Sequence, residues 1–538
     1  MKKIILILCL CLWSLWSSGA WGANCGGETP CACGDTVTSS YSLSSDLTCT
    51  NTGDALIING SGIILDLANY SITGNGSTTV RGIYNASSNT LTIKNGSITN
   101  FTSSAIELNG GASPILQDLT ISTTGNGGAH AQVRLANVSS PTLTNLLISN
   151  SNATALTRGV SFTSTTGTAT LYNISSTYNT GYGLSIGGVS GIFDFDTVNC
   201  SYNTQNGLYS STTTASLIGT NLTMNHNALQ GVHLNADSLG VGSSLQGDFS
   251  YNASRGIESV STSPLRIHHS TVTYNSGDTL GSGILITNGI NVIIENNIVT
   301  HNALDGIDFA GTGTGSGICR FNYIAYNGNV NESSAGDGIS LIENFALTAY
   351  GNVSVYNLNS GLASTGGSAY IYNNTFAHNG QVGFGTRGGF WKTTTSGSGN
   401  VVSKNNIIAE NYPYDLRASV GGLAVLALDN NNYYNASNPN LVSLDNGATA
   451  HTWDWYHASY ELSSVYGDPL FTDAANGYFT LLPGSPGINA GVEILGINDT
   501  GTSDAAGNIR PANHFPPGKV DTGPYQSPEV VASSVVPQ

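Results

Sequence analysis

Tyr251-Asn252-Ala253-Ser254-Arg255-Gly256-Ile257 carries the phrase that decides the fold: a Tyr or His, then Asn, then after a gap Gly followed by an aliphatic or aromatic residue. The phrase occurs nine times between Leu171 and Phe384. Upstream it reads Tyr178-Asn179 with Gly183-Leu184, Tyr202-Asn203 with Gly207-Leu208, and His226-Asn227 with Gly231-Val232. Downstream come Tyr274-Asn275 with Gly283-Ile284, His301-Asn302 with Gly306-Ile307, Tyr326-Asn327 with Gly338-Ile339, Tyr356-Asn357 with Gly361-Leu362, and His378-Asn379 with Gly383-Phe384. Eight intervals cover the 200 residues from Asn179 to Asn379, a mean period of 25. Periods of this size mark solenoids.

The residues between the marks are Val, Ile, Thr, Ser, Tyr and Asn in short runs broken by Gly and Asn, which suits short strands and turns and excludes helical repeats. One coil of three strands fits the period, and stacked coils place equivalent residues in columns about 4.8 Å apart. The Asn column is expected to form an amide ladder. The pairs Asn296-Asn297, Asn373-Asn374 and Asn405-Asn406 point to a second ladder at a neighbouring turn.

With these repeats the chain resembles the secreted right-handed parallel β-helix proteins of the pectin-lyase-like superfamily. The resemblance implies an all-β, right-handed parallel β-helix over residues 55–440, and says little about activity because one fold hosts many functions. Cys33-Gly34-Asp35-Thr36 and Asp46-Leu47-Thr48-Cys49, followed by Ala55 to Gly60 and Ile63 to Leu67, resemble the N-terminal cap and first turn of such proteins. Gly467-Asp468-Pro469-Leu470-Phe471, Gly477 to Leu482, Pro483-Gly484-Ser485-Pro486 and Val520-Asp521-Thr522-Gly523 resemble the C-terminal module of bacterial surface β-helix proteins. That resemblance implies a capping module over 441–526 and a short tail, 527–538, without an anchor.

Lys2 and Lys3 precede an apolar run from Ile4 to Leu12, with small residues near Ala20 and Ala23, the pattern of a secretory signal over 1–23. The run is too short to span a membrane. Four cysteines, Cys25, Cys31, Cys33 and Cys49, crowd the expected cap, 24–54. In an oxidising compartment they form two disulfides, with three pairings open. Their spacing is not that of a zinc site. Cys200 and Cys319 read as small core residues. Without the two signal lysines the chain carries 13 basic against 32 acidic residues, which argues against nucleic acid and anionic membrane as partners.

Three constellations are candidates for function. Longer gaps follow Asn275 and Asn327, so two loops flank the coil of Asn302 and bracket a groove. Asp278 and Glu332 lie on those loops, Asp305 and Asp337 just before Gly, and Asp308 just past it. So many oxygens suit Ca²⁺, the one cofactor the sequence raises, although Asp before Gly is also ordinary turn chemistry. Seven residues before the marked Asn, successive coils give His268, Glu295 and Arg320, which stack as base, acid and cation or as a surface charge ladder. The third is the ring column, including Tyr251, Tyr274, His301 and Tyr326, a stacking strip for a linear glycan if exposed. Strand parity from Val299 and Ile324 turns these rings inward unless the chain bends at Asn, and favours a structural stack.

The chain lacks the Asp-Pro-His of alginate epimerases and the Asp-Asp pair with Ser-His-Gly of polygalacturonases. The reading preferred from sequence is an extracellular or cell-surface protein that binds polysaccharide without catalysis. A lyase, epimerase or hydrolase acting on an acidic glycan is the alternative.

Overall fold

The computed structural model describes residues 22–87, 90–122, 130–149, 156–235, 239–277, 281–311, 314–329, 336–342, 344–380, 387–393, 399–419, 426–445, 447–498, 502–507 and 519–527. Asp278 and Glu332 lie outside them, as do the expected signal segment apart from Gly22 and Ala23 and the expected tail apart from Ser527. Two compact units divide between Thr204 and Gln205. Each contains a parallel β-helix whose coil strands pair with their counterparts one coil on, and the second unit adds two short antiparallel pairs, Phe471–Asp473 with Tyr478–Leu481 and Gly491–Val492 with Lys519–Val520.

In the first unit one face is built from short strands, among them Leu56–Ile58, Ile83–Asn85 and Ile106–Asn109. The opposite face uses long strands, Leu91–Thr99, Ile115–Ser122, Thr142–Ser149, Thr168–Thr177 and Ile192–Asn199. Each long strand bends once at a residue of positive φ: Asn95, Asp118, Asn145, Asn173 or Thr197. Disulfides Cys25–Cys31 and Cys33–Cys49 staple the start of this unit and settle the pairing that the sequence left open.

In most coils of the second unit that bend becomes a break, and the coils carry three strands. One coil runs Ile284–Thr287, Val292–Glu295, Ile298–Thr300, and the next Ile307–Ala310, Ser316–Arg320, Tyr323–Ala325. The corner between second and third strands falls at Asn296 and Phe321, both of positive φ. Alternation along each strand sends Ile284, Ile307, Ile339, Leu362, Phe390 and Leu416 inward as one fully buried column. Cys200 and Cys319 are buried and unbridged.

The Asn and Gly of the repeated phrase form one physical unit. A Cβ on Gly256 would stand 2.9 Å from Asn275 Nδ2, and one on Gly283 2.8 Å from Asn302 Nδ2, so the inward amide of one coil needs a bare Cα in the coil before. The register also corrects the last repeat. Leu362 pairs with Phe390, so Gly389-Phe390 continues the column. Residues 381–386 lie outside the described set.

The coils of the second unit run to Val442–Ser443, and Val465–Tyr466 adds one further strand beside Asn432–Tyr434. The single described α-helix, Trp453–His457, lies between them. The segment expected as a terminal module then turns back alongside the coils. Phe479 packs on Ala325, Val353, Val355 and Ala377, and Leu481 on Ile407 and Ala409. Asn373 and Asn405 donate to the carbonyls of Asp521 and Val492 at 3.0 and 2.8 Å. The module therefore braces the flank of the third strands.

Candidate functional site

The ring column turns outward, contrary to strand parity: it is exposed from Tyr178 to Tyr326 and partly covered at Tyr356 and His378. All nine ring residues have φ between 54° and 59°. The chain bends at the ring itself, one residue before the Asn, so the ring turns out and the Asn turns in. In the second unit the buried Asn ladder runs through Asn227, Asn252, Asn275, Asn302, Asn327, Asn357, Asn379 and Asn411. Each Oδ1 accepts the backbone N–H and the amide of the preceding Asn, at 3.0 and 3.1 Å for Asn252. The second ladder, Asn297, Asn322, Asn352, Asn374, Asn406 and Asn431, sits at the other corner as the Asn pairs foretold.

Outside the first ladder, His226, Tyr251, Tyr274, His301, Tyr326, Tyr356 and His378 stack face to face, with centroids 4.7 to 5.1 Å apart. Tyr251 is 49% exposed and Tyr326 42%. Because each inner ring has a neighbour on both faces, the strip offers solvent its edges and no face on which a sugar could lie. The glycan-stacking role imagined for Tyr251, Tyr274, His301 and Tyr326 has no geometric support.

The charged column is formed as the spacing required. His268 pairs in register with Glu295, Glu295 with Arg320, Arg320 with Tyr350, Tyr350 with Tyr372 and Tyr372 with Lys404. The Glu295 side chain is 3% exposed. Arg266 Nε donates to its Oε1 and Arg320 Nε to its Oε2, both at 2.6 Å. Burial raises the Glu295 pKa, but these hydrogen bonds and charges outweigh it and hold the carboxyl below its ordinary value. Arg320 Nη1 donates onward to the Tyr350 hydroxyl at 2.7 Å. His268 Nε2 lies 2.8 Å from Ser244 Oγ and its Nδ1 3.0 Å from His269 Nδ1. Burial, then Arg266, lowers the His268 pKa, so its ring is neutral at pH 7.

The structure also gathers Asp305, Asp308 and Asp337. Asp305 Oδ1 accepts the backbone N–H groups of Gly336 and Asp337, each at 2.8 Å. Burial first, then the charges of Asp337 and Asp308, push its carboxyl well above the ordinary range. Asp337 pairs with Arg387 and accepts the Ser360 N–H at 2.9 Å. Burial pushes Asp308 up to about 6. Among the described residues no three His, Cys, Asp or Glu side chains converge in a metal-binding arrangement. Asp305 ties its coil to the next through these two N–H groups, a structural role beside the Ca²⁺ reading, two of whose five residues, Asp278 and Glu332, lie outside the described residues.

One feature escaped the sequence. Two residues ahead of the charged column, on the same outward face, Ile293, Ile318, Thr348 and Tyr370 stand in register. With Asn291, Ser316, Gly317, Ala346 and Ser368 they line an open cavity of about 330 Å³. Tyr370 is 52% exposed and meets Tyr372 only at a tilt, 33° with centroids 6.2 Å apart, so a face of its ring stays open. These residues belong to no motif. The only signal was their offset of two from Glu295, Arg320, Tyr350 and Tyr372, which strand alternation places on one face.

No protein-family model matches the chain, and no curated protein matches it in sequence. Among solved structures it is similar to pectate lyase Pel9A, with TM-score 0.36 and 13% identity, over 69% of this chain and 88% of that one. It is also similar to the periplasmic alginate epimerase AlgG, with TM-score 0.28 and 13% identity, over 64% and 80%. Likeness at this level carries no argument about activity.

Proposed function

We propose that this is an exported β-helix protein that binds polysaccharide without catalysis, on the outward face of Val292–Glu295, Ser316–Arg320, Ala346–Tyr350 and Ser368–Tyr372. One observation carries the reading. On this face the candidate base, acid and cation are engaged with protein partners, both Glu295 oxygens by arginines, while the cavity beside them is open. Such a face offers a ligand surface and shape but no free carboxylate for proton transfer. The two disulfides fit an oxidising compartment. A net charge of −17 disfavours nucleic acid. Among the described residues no helix is long and apolar enough to cross a membrane.

Co-sedimentation with insoluble polysaccharides, run beside assays for new reducing ends and for the absorbance of unsaturated products, tests this reading. Retention without turnover supports it, and turnover on any of them overturns it. A second reading, a lyase, epimerase or hydrolase on an acidic glycan, draws on Asp308, whose carboxyl near 6 suits a general acid. It requires turnover of a polyuronate that is lost in Asp308→Asn.

A further inference from the structure

We infer that the cavity on this face is a subsite for an uncharged sugar ring, held by its apolar face against Tyr370 and Ile318. The inference rests on the polysaccharide-binding reading and narrows it to neutral glycans. None of the eleven residues that line the cavity carries a charged side chain. Its lining combines the aliphatic side chains of Ile293 and Ile318 with the hydroxyls of Ser316, Thr348 and Ser368. A pyranose has the complementary anatomy, an apolar face of C–H groups and a rim of hydroxyls. Aromatic rings recognise that face when their own is open, and here Tyr370 differs from the stacked Tyr strip, whose inner rings have neighbours on both faces.

Charge points the same way. The whole chain carries −17, the cavity lining holds no charged side chain, and the nearby guanidiniums of Arg266 and Arg320, one positive charge in excess of Glu295, are committed to that carboxylate, so a polyanion finds no dedicated counter-charge in the cavity. Small residues make the room. Ala346 stands between Ser316 and Ser368 in the outward column, and a larger side chain there would occupy the cavity.

Titration calorimetry of the full chain, with oligosaccharides cut from neutral linear glycans and with oligouronates, tests the inference. Tyr370→Ala and Ala346→Leu are each expected to weaken neutral binding about tenfold or more, as loss of a stacking face or of volume does. Tyr370→Phe, which keeps the ring face, is expected to bind like the parent. Circular dichroism confirms that each variant is folded. Salt-sensitive binding confined to oligouronates overturns the inference while leaving polysaccharide binding intact. So does neutral binding indifferent to both Tyr370→Ala and Ala346→Leu. Absence of binding to every glycan of either class overturns the broader reading, and this one with it.

Discussion

The backbone N–H and the side-chain amide of Asn411 both donate, at 2.9 Å, to Oδ1 of Asp415. Asp415 stands in the slot that Gly389 fills one coil earlier, since Leu416 pairs with Phe390. Its carboxylate takes the place of the next amide and ends the ladder. The second ladder also ends on a carboxyl, where Asn431 Nδ2 donates to Glu461 Oε2 at 3.0 Å while its backbone N–H donates to Ser464 Oγ at 2.9 Å. Both terminal carboxyls are buried, and burial pushes both above the ordinary range, Asp415 well above it.

Asp415→Asn should therefore stabilise the protein in alkali. A carboxyl whose folded-state pKa is raised contributes stability that is complete below its unfolded value and is lost as pH rises through the folded value. An amide keeps the acceptor for Asn411 and cannot ionise. Thermal midpoints from pH 5 to pH 9 should show the variant near the parent in acid and ahead of it at pH 9, by roughly 1–3 kcal/mol if the full cost of a buried, incompletely paired group is recovered. A constant offset across that range would refute the account.

Within a ladder each rung serves its neighbours on both sides. Asn302 Oδ1 accepts two donors from Asn275, and its Nδ2 donates to Asn327 Oδ1 and the Val272 carbonyl. Asn302→Ala strands all of these in the interior, and a loss of about 3 kcal/mol or more is expected. The adjacent ring, Tyr274, is 45% exposed and held by stacking alone. Tyr274→Ala should cost about 1–2 kcal/mol. Urea unfolding of the two variants measures the order, and a costlier loss at Tyr274 would reverse the assignment of which column holds the coils.

These two columns show where the sequence was legible. The period and the amide ladders follow from Asn spacing, because stacking converts a constant interval into contact, and the strand content follows from the β-branched runs between the marks. Ring exposure did not follow, since parity assumes an extended chain and the ring residues take positive φ. Non-Gly residues rarely do so, and nothing in Tyr or His announces it. The cavity was hidden for another reason: Ala346 matters by being small between Ser316 and Ser368, and one small outward residue reads like any other in a Gly- and Ser-rich chain.

The acid cluster predicts a contrast between two substitutions at one position. Asp305 is held by two backbone donors, and an amide oxygen can accept both. Asp305→Asn should be neutral or mildly stabilising, since it also removes repulsion from Asp308 and Asp337. Asp305→Ala should cost roughly 1–3 kcal/mol by leaving the Gly336 and Asp337 N–H groups without an acceptor. Treatment with a chelator should leave the thermal midpoint of the parent unchanged. A midpoint that falls on chelation, in the parent and not in Asp305→Asn, would restore the Ca²⁺ reading.

Glu295 should show the opposite pH signature from Asp415. Its folded pKa lies below the ordinary value near 4.5 because Arg266 and Arg320 together outweigh burial. A depressed carboxyl contributes stability that is complete above its unfolded value and is lost as pH falls through the folded one. At pH 7 Glu295→Gln removes the anion from between two guanidiniums and should lower the thermal midpoint. Below about pH 4.5 the parent loses the same interaction as its carboxyl protonates, so the two proteins should converge. The measurement is the difference in midpoint at pH 7 and at pH 3. A difference that persists unchanged at pH 3 would mean that Glu295 holds the face by shape and hydrogen bonding, with its charge contributing nothing.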